Sequence, residues 1–224
     1  MNVEKRVSII KDWIINYVNS MPKKASTLVV GVSGGIDSAV VSTISSMTGI
    51  KTIVLSMPIR QIKSQDDLSK LHCNWLEDKF KNSSYLSINL DNVFTNFENA
   101  LGSNDNEHAF ANSRARLRMA TLYQVAGSNN GIVVGTGNKV EDFGVGFYTK
   151  YGDGGVDISP IADCTKTQVW DMGKFLKIDQ RIIDAPPTDG LWTDGRNDED
   201  QLGMSYQDLE EAMINPDSKN FEKY

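Results

Sequence analysis

Cysteine and histidine are scarce in this chain of 224 residues, which has only two of each. Cys73 and Cys164 stand far apart and in no metal-ligand spacing. That argues against a thiolate metal site, nothing calls for a disulfide framework, and a reducing, cytoplasmic setting is the default. His72 and His108 have no evident partners and are expected to be surface or helix-packing residues. Long apolar runs are also missing: no stretch approaches the roughly 20 residues that a membrane span needs. The first residues include Glu4, Lys5, Arg6, Lys11 and Asp12, which is no signal-peptide pattern. Positive charge is in deficit, with a formal net charge of −6 at pH 7. Broad nucleic-acid binding needs a basic face and is excluded on that count. An anionic small ligand is not excluded, because a few lysines and arginines can converge locally on an acidic protein. No repeat and no linker is present, so the expectation is one domain over residues 1–224.

What is there has the periodicity of an α/β protein. Val7, Ile10, Ile14 and Tyr17 recur at helical spacing over residues 3–19 and the run ends at Pro22. A strand is expected at 27–32, a helix at 36–48 closed by Gly49, and a second strand at 52–57 stopped by Pro58. Ser64-x-x-Asp67 resembles a capping box ahead of a helix with Leu68, Leu71 and Trp75 on one side. A strand at 85–90, a short helix at 93–101, a long helix at 107–126 and a fourth strand at 131–136 follow. Strands separated by helices of this length imply a parallel sheet with helices on both faces, a three-layer, Rossmann-like α/β architecture. Beyond residue 137 glycine, aspartate and lysine dominate, as long functional loops require.

The first strand leaves through Gly31-Val32-Ser33-Gly34-Gly35-Ile36-Asp37-Ser38. A glycine- and serine-rich strand-to-helix turn aims several backbone N–H groups at one spot, and the helix dipole adds to them. The result is a nest suited to phosphate oxygens. Gly34 and Gly35 allow close backbone approach, and Ser33 and Ser38 bring hydroxyl donors. Asp37 discriminates: an acid beside a phosphate repels it unless a cation lies between, and Mg²⁺ is bound in this way by one or two carboxylates plus phosphate oxygens. Asp37 is therefore the first candidate metal ligand. The pattern has neither the lysine of G-x-x-x-x-G-K-[ST] nor the spacing of G-x-G-x-x-G.

Three further stretches carry chemistry. In Ala111-Asn112-Ser113-Arg114-Ala115-Arg116-Leu117-Arg118-Met119, Arg114 and Arg118 share a helix face and Arg116 lies roughly 200° away. The three cannot grip one ligand, and a solvated basic face is expected for two of them. Gly135-Thr136-Gly137-Asn138-Lys139-Val140-Glu141-Asp142 follows the fourth strand, where ligands of open parallel sheets bind; Glu141 or Asp142 there can complete a metal shell begun by Asp37. Residues 147–160, FYTKYGDGGVDISP, interleave lysine and aspartate with glycines and cannot be core.

GVSGGIDS, N-x-R-A-R-L-R-M, VVGTGNKVEDF, FYTKYGDGGVDISPI, CTKTQVW, PPTDGLW and DEDQLGMSY together resemble NAD synthetase, in order, from about residue 28 to about residue 212. The first loop alone is similar across the ATP-pyrophosphatases, which share an adenine nucleotide α-hydrolase-like fold; the glycine-aspartate loop is particular to this family. The resemblance implies a ligase. ATP adenylates the nicotinate carboxylate of deamido-NAD, pyrophosphate leaves, and ammonia attacks the acyl-adenylate to give NAD and AMP. It implies that Gly31, Val32, Ser33, Gly34, Gly35, Ile36, Asp37 and Ser38 hold ATP together with Thr136, Lys166 and Thr188. Asp37 and Glu141 become the Mg²⁺ ligands, and Arg116, Lys150 and Asp157 the contacts to deamido-NAD. Asp153 matches the acid of the ammonia site, and Lys150 and Lys166 supply charge to the adenylation.

The implied partners are deamido-NAD, ATP, ammonia and a second copy of the chain in a cytoplasmic homodimer, with no nucleic acid and no membrane. Some family members carry a glutaminase domain with a cysteine nucleophile. No room for one is evident here, and Cys73 and Cys164 have no activating neighbours, so ammonia is the expected nitrogen source. Family members usually extend to a C-terminal His-Lys pair that reaches the dinucleotide; Phe221-Glu222-Lys223-Tyr224 shows none, which bears on substrate affinity. Residues 184–203, with Pro186, Pro187 and Gly190, look like a lid over the nucleotide. Three other readings compete with this one. A guanylate-synthesis amidating domain shares the first loop but not residues 144–160, a nucleotide sensor needs no metal at the α-phosphate, and tRNA thiolation usually brings a cysteine pair and a basic surface.

Overall fold

The structure is a computed structural model that describes residues 1–188 and 197–224. Four strands, β1 (Thr27–Gly31), β2 (Lys51–Ser56), β3 (Ser83–Ser87) and β4 (Gly131–Val134), pair in parallel in the order β3-β2-β1-β4. Their side chains alternate between faces, as the pleat requires. Leu28, Val30, Ile132 and Val134 enter one core, and Val29, Ile53, Leu55 and Val133 enter the other. Both faces are covered around the centre of the sheet, so β1, β2 and β4 carry consecutive apolar residues, Leu28-Val29-Val30, Ile53-Val54-Leu55 and Ile132-Val133-Val134.

Helices α1 (Val3–Ser20), α2 (Ile36–Met47) and α6 (Lys166–Leu176) cover the first face around Ile14, Ile44 and Met172. Helix α3 (Lys63–Lys79) shares their side of the sheet, packing Cys73 and Leu76 on Val54. Helices α4 (Asp91–Leu101) and α5 (Glu107–Ser128) cover the opposite face with Phe94 and Phe110. Burying each such aliphatic or aromatic side chain is worth about 1.5–3 kcal/mol. The expected three layers are present. Among the described residues no helix is long and apolar enough to cross a membrane.

The differences from expectation are local. In α1 the fourth buried position is Val18, while Tyr17 is exposed and rests on Trp13. Helix α3 begins at Lys63 after Ile62, so Ser64 and Asp67 lie inside the helix and form no capping box. Its buried face is Ser69, His72, Cys73 and Leu76, with Leu68, Leu71 and Trp75 only flanking it. Apolarity alone misplaced that face, because Ser69 and His72 are buried through hydrogen bonds. Strand β3 lies two residues earlier than expected at its start, fixed by the register Thr52↔Ser83 through Ser56↔Ser87. A short π-helical turn, Val140–Val145, follows β4 where only a loop was expected. Helices α7 (Gln180–Ile183), α8 (Asp198–Leu202) and α9 (Tyr206–Ile214) complete the elements among the described residues. Tyr206 and Leu209 of α9 pack on Val140 of the π-turn.

Candidate active site

From β1 the chain builds the sheet outward through β2 to β3, then returns to lay β4 on the other side of β1. The loops after β1 and β4 therefore diverge and leave a crevice at the carboxyl ends of the strands, the usual ligand site in such sheets. A cavity of about 490 Å³ lies there. Its lining includes Gly31, Ser33, Asp37, Thr136, Glu141 and Lys166.

The loop after β1 is held from two sides. Val32 N–H donates to Leu55 O at 2.7 Å, and Ser69 of α3 donates its hydroxyl to Val32 O at 2.6 Å. Gly34 has φ +95°, and a Cβ there would stand 2.6 Å from Gln65 O, so both conformation and space require glycine. Ser38 shapes the loop: its hydroxyl accepts from Ser33 N–H at 3.1 Å and lies 3.0 Å from Gly35 O, to which it donates. Ser33 Oγ accepts from Gly35 N–H at 3.2 Å. The two hydroxyls that the sequence suggested as ligand donors thus brace the turn itself.

Asp37, in the first turn of α2, and Glu141, in the π-turn, meet at one point. Lys166 Nζ lies 2.5 Å from Asp37 Oδ2 and 2.8 Å from Glu141 Oε1. The lysine is the first residue of α6 and is 2% exposed. Its ammonium also faces the Tyr206 ring at 4.9 Å. Asn138 Nδ2 donates to Asp37 Oδ1 at 3.1 Å, and Tyr206 OH donates to Glu141 Oε1 at 2.6 Å with Asp198 Oδ2 at 3.2 Å. Burial raises the Asp37 carboxyl, and the nearby Lys166 only partly offsets it. Burial also acts on Glu141, but the Lys166 ammonium and the Lys166 and Tyr206 hydrogen bonds hold it below the usual range. Burial would lower Lys166; the two carboxylates outweigh it and raise the ammonium.

The donor set fits a hard divalent cation. Two carboxylate oxygens from separate turns already converge on one positive group. Among the described residues no cluster of three His, Cys, Asp or Glu side chains has metal-binding geometry. Further ligands would come from phosphate oxygens and water, which is how Mg²⁺ is usually held. Asp142, the other acid weighed for this role, also lines the cavity. Its pKa is raised to about 6, first by burial and then by Glu141, Asp153 and Asp37. Its carboxyl occupies the space that a side chain at residue 137 would enter.

Gly31, Val32, Ser33, Gly35, Ile36, Asp37, Ser38, Thr136, Thr188, Asp153 and Lys166 all line the cavity, while Gly34 supports the loop from behind. Asp153 is exposed and accepts from Thr149 N–H at 3.0 Å. Arg116, Lys150 and Asp157 do not line it. Arg116 Nε donates to Lys150 O at 3.1 Å, and Asp157 accepts from Tyr123 OH and Val133 N–H. All three are exposed, Arg116 on α5 and Lys150 and Asp157 on the 147–157 loop. The solvated face expected of the arginines does not hold for Arg114, which is 4% exposed, bonded to Glu107 and set over the Phe94 ring. Arg118 lines the cavity, with Met57 O and Gln61 as partners. Sequence reasoning missed Asn138, Tyr206 and Arg118. Only the helical spacing that separates Arg118 from Arg116 carried a signal. Of the expected 184–203 lid, Pro186 and Pro187 line the cavity and Gly190 lies outside the described residues.

A family model described as NAD synthase matches residues 6–223. The NH(3)-dependent NAD(+) synthetase of Carboxydothermus hydrogenoformans is 35% identical over 219 residues, covering 96% of this chain and 86% of its own. Among solved structures, NMN synthetase from Francisella tularensis superposes with a TM-score of 0.90 at 31% identity, covering 100% of this chain and 91% of that one. The NH3-dependent NAD synthetase of Campylobacter jejuni superposes with a TM-score of 0.78 at 26% identity, covering 100% and 89%.

Proposed function

The chain belongs to the NAD synthase family, and from that premise we infer that its cleft performs the ATP-dependent amidation of deamido-NAD to NAD. The nitrogen source is ammonia. The observation that carries this reading is the convergence of Asp37 and Glu141 on a single cationic position beside the glycine-serine loop. An amidating domain of the guanylate type would share that loop without the FYTKYGDGG segment.

The loop 31–38 with Thr136 and Thr188 receives the triphosphate, and the α2 dipole favours its charge. Asp37 and Glu141 would hold Mg²⁺, and the chemistry it would supply is neutralisation of the phosphate charge. Lys166, fixed at the start of α6, sits between these two carboxylates and would add a second positive charge beside the cation. A nicotinate carboxylate oxygen forms the new bond to the α-phosphorus as the bond to the β-phosphate oxygen breaks, and pyrophosphate leaves. Ammonia then attacks the acyl carbon, the bond from that carbon to the bridging oxygen breaks, AMP departs with the bridging oxygen, and the nitrogen gives up one proton to solvent. Asp153, at the cavity mouth, seats ammonium and orients its nitrogen. Arg116, Lys150 and Asp157 contact the far half of the dinucleotide on the outer face. A second copy of the chain closes over that face, where Tyr148 and Tyr151 are exposed. The two buried thiols agree with a cytoplasmic setting, and the 224 residues act as one synthetase domain.

The test is an assay with ATP, Mg²⁺, ammonium and deamido-NAD that follows NAD and AMP. Absence of both products would overturn the reading, and replacing ammonium by glutamine checks the nitrogen source. Sedimentation of the purified chain checks the dimer. The Francisella match favours a second reading, in which the acyl substrate is the deamidated mononucleotide. A kcat/KM higher for nicotinate mononucleotide than for deamido-NAD would select it.

A further inference from the structure

Asn138 is completely buried, 0% exposed, although it is polar and stands between two glycine-rich turns. Each end of its side-chain amide is used. The carbonyl oxygen accepts from Val140 N–H at 3.0 Å and from Glu141 N–H at 3.1 Å. The amino group donates to Asp37 Oδ1 at 3.1 Å. The reverse orientation would set N–H against N–H and oxygen against carboxylate, so the network fixes the amide. Its backbone joins in: Asn138 O accepts from Asp142 N–H at 3.0 Å, and the neighbouring Lys139 N–H donates to Cys164 O at 2.8 Å. One side chain thereby ties the turn that carries Glu141 to the carboxylate of Asp37, 101 residues away in sequence. It also takes up Oδ1 of Asp37, leaving Oδ2 to face the cation position that Lys166 marks.

We propose that Asn138 is a positioning residue: a single amide that sets the spacing and aim of the Asp37 and Glu141 carboxylates and so determines how tightly the cleft holds its divalent cation. The proposal rests on the metal role given above to these two acids. An outer partner that orients a ligating carboxylate typically changes metal affinity about 10–100-fold when removed. Asn138 touches no reacting atom and acts through Asp37 and Glu141.

The informative substitution is Asn138→Asp. It keeps an acceptor for the two N–H groups and replaces the donor to Asp37 by an oxygen. Mn²⁺ is titrated by calorimetry into protein saturated with α,β-methylene-ATP, which cannot be cleaved between its α and β phosphates. The expected result is a Mn²⁺ affinity about tenfold or more below the parent, with metal-free affinity for the analogue changed less than about twofold. A second measurement uses the exchanged pair Asp37→Asn with Asn138→Asp, which can remake the hydrogen bond with the charge on the wrong turn. It should regain most of the melting midpoint that Asn138→Asp loses and still form no product. If Asn138→Asp does not fold, Asn138→Ser carries the same titration. A folded variant that binds Mn²⁺ within twofold of the parent overturns the role, and so does an exchanged pair no more stable than Asn138→Asp. Asp37→Asn alone separates the two layers of argument. Parent-like Mn²⁺ binding in that variant removes the metal reading itself, whereas unchanged binding in the Asn138 variants only removes Asn138 from it.

Discussion

Helix α2 buries two kinds of polar group, and they differ in where their partners come from. In its body, Ser42, Thr43 and Ser46 donate to Ser38 O, Ala39 O and Ser42 O one turn back, at 2.6, 2.7 and 2.8 Å. His72 of α3 joins them, with Nε2 3.1 Å from Ala39 O and from Ser42 Oγ. This region is neutral and largely satisfied within a turn or by one neighbouring helix. At the mouth of the same helix, Asp37 depends on Asn138 and Lys166, 101 and 129 residues away. The first arrangement is cheap, because each hydroxyl finds an acceptor that the helix already supplies. The second concentrates like charges around one ammonium. It persists only while every member is present, since removing one partner of a buried ion pair strands the other. Stability sets the body of the helix; chemistry sets its mouth.

The largest effect should therefore come from Lys166→Met, which keeps length and packing but removes the charge. Two buried carboxylates are left against each other, at a cost of about 3–5 kcal/mol. For a chain of this size that lowers the melting midpoint on the order of 10 °C, and NAD formation should fall below detection. A midpoint unchanged in thermal unfolding would break the distinction between the two regions.

His72 tests the neutral region by pH. Burial, only partly offset by the bond to Ala39 O, lowers its pKa to about 4 from an ordinary value of 6.5. The folded state therefore carries neutral imidazole, while the unfolded chain takes up a proton as pH falls through 6.5. Stability contributed by this site is whole above 6.5, declines between 6.5 and 4, and levels off below 4. The full decline is about 3 kcal/mol. Denaturant unfolding of the parent and of His72→Gln at pH 7 and pH 4.5 should show the parent losing more. Equal losses would mean that the ring is charged in the fold.

Asp153 sharpens the comparison at the mouth, because it is an exposed acid whose carboxylate accepts from Thr149 N–H. Asp153→Asn should leave the melting midpoint in place and spare adenylation, read as ATP–pyrophosphate exchange in the presence of deamido-NAD. The amination step should slow on the order of 10–100-fold, the value of one hydrogen bond to a charged group. An unchanged rate of NAD formation would remove Asp153 from the ammonia step.

These regions were unequally legible in the sequence. The order of strands and helices was visible because both sheet faces are buried and three of the strands centre on apolar triplets, Leu28-Val29-Val30, Ile53-Val54-Leu55 and Ile132-Val133-Val134. Asp37 was visible because its setting, a glycine-serine turn opening a helix, is local. Glu141 was reached as one of two adjacent acids, and nothing in the spacing chose between them. The π-turn that separates Glu141 from Asp142 is set by Tyr206 and Leu209, which pack on Val140 from α9. Asn138 carried no signal at all, because an asparagine between Gly137 and Lys139 is what any exposed turn would contain. Its meaning appears only when β4 is laid beside β1. Arg114 failed for the same reason: Phe94 belongs to another helix, so helical spacing could not reveal that the guanidinium is covered.

The smallest effect is expected at Ser45, the exception within the body of α2. Its hydroxyl is buried and, among the described residues, makes no hydrogen bond, whereas Ser42 and Ser46 on either side do. An unpaired buried hydroxyl costs free energy that alanine would not, and alanine has the higher helix propensity. Ser45→Ala should raise stability by about 1 kcal/mol, a gain of roughly 2–4 °C in the melting midpoint, with kcat and KM unchanged. Ser46→Ala should move the other way, because it leaves the Ser83 hydroxyl, 2.8 Å away, without its acceptor. Opposite signs at adjacent serines would establish that this helix tolerates polar groups only where a partner is in reach. A loss at both positions would place an additional partner beside Ser45 and narrow the contrast with the mouth.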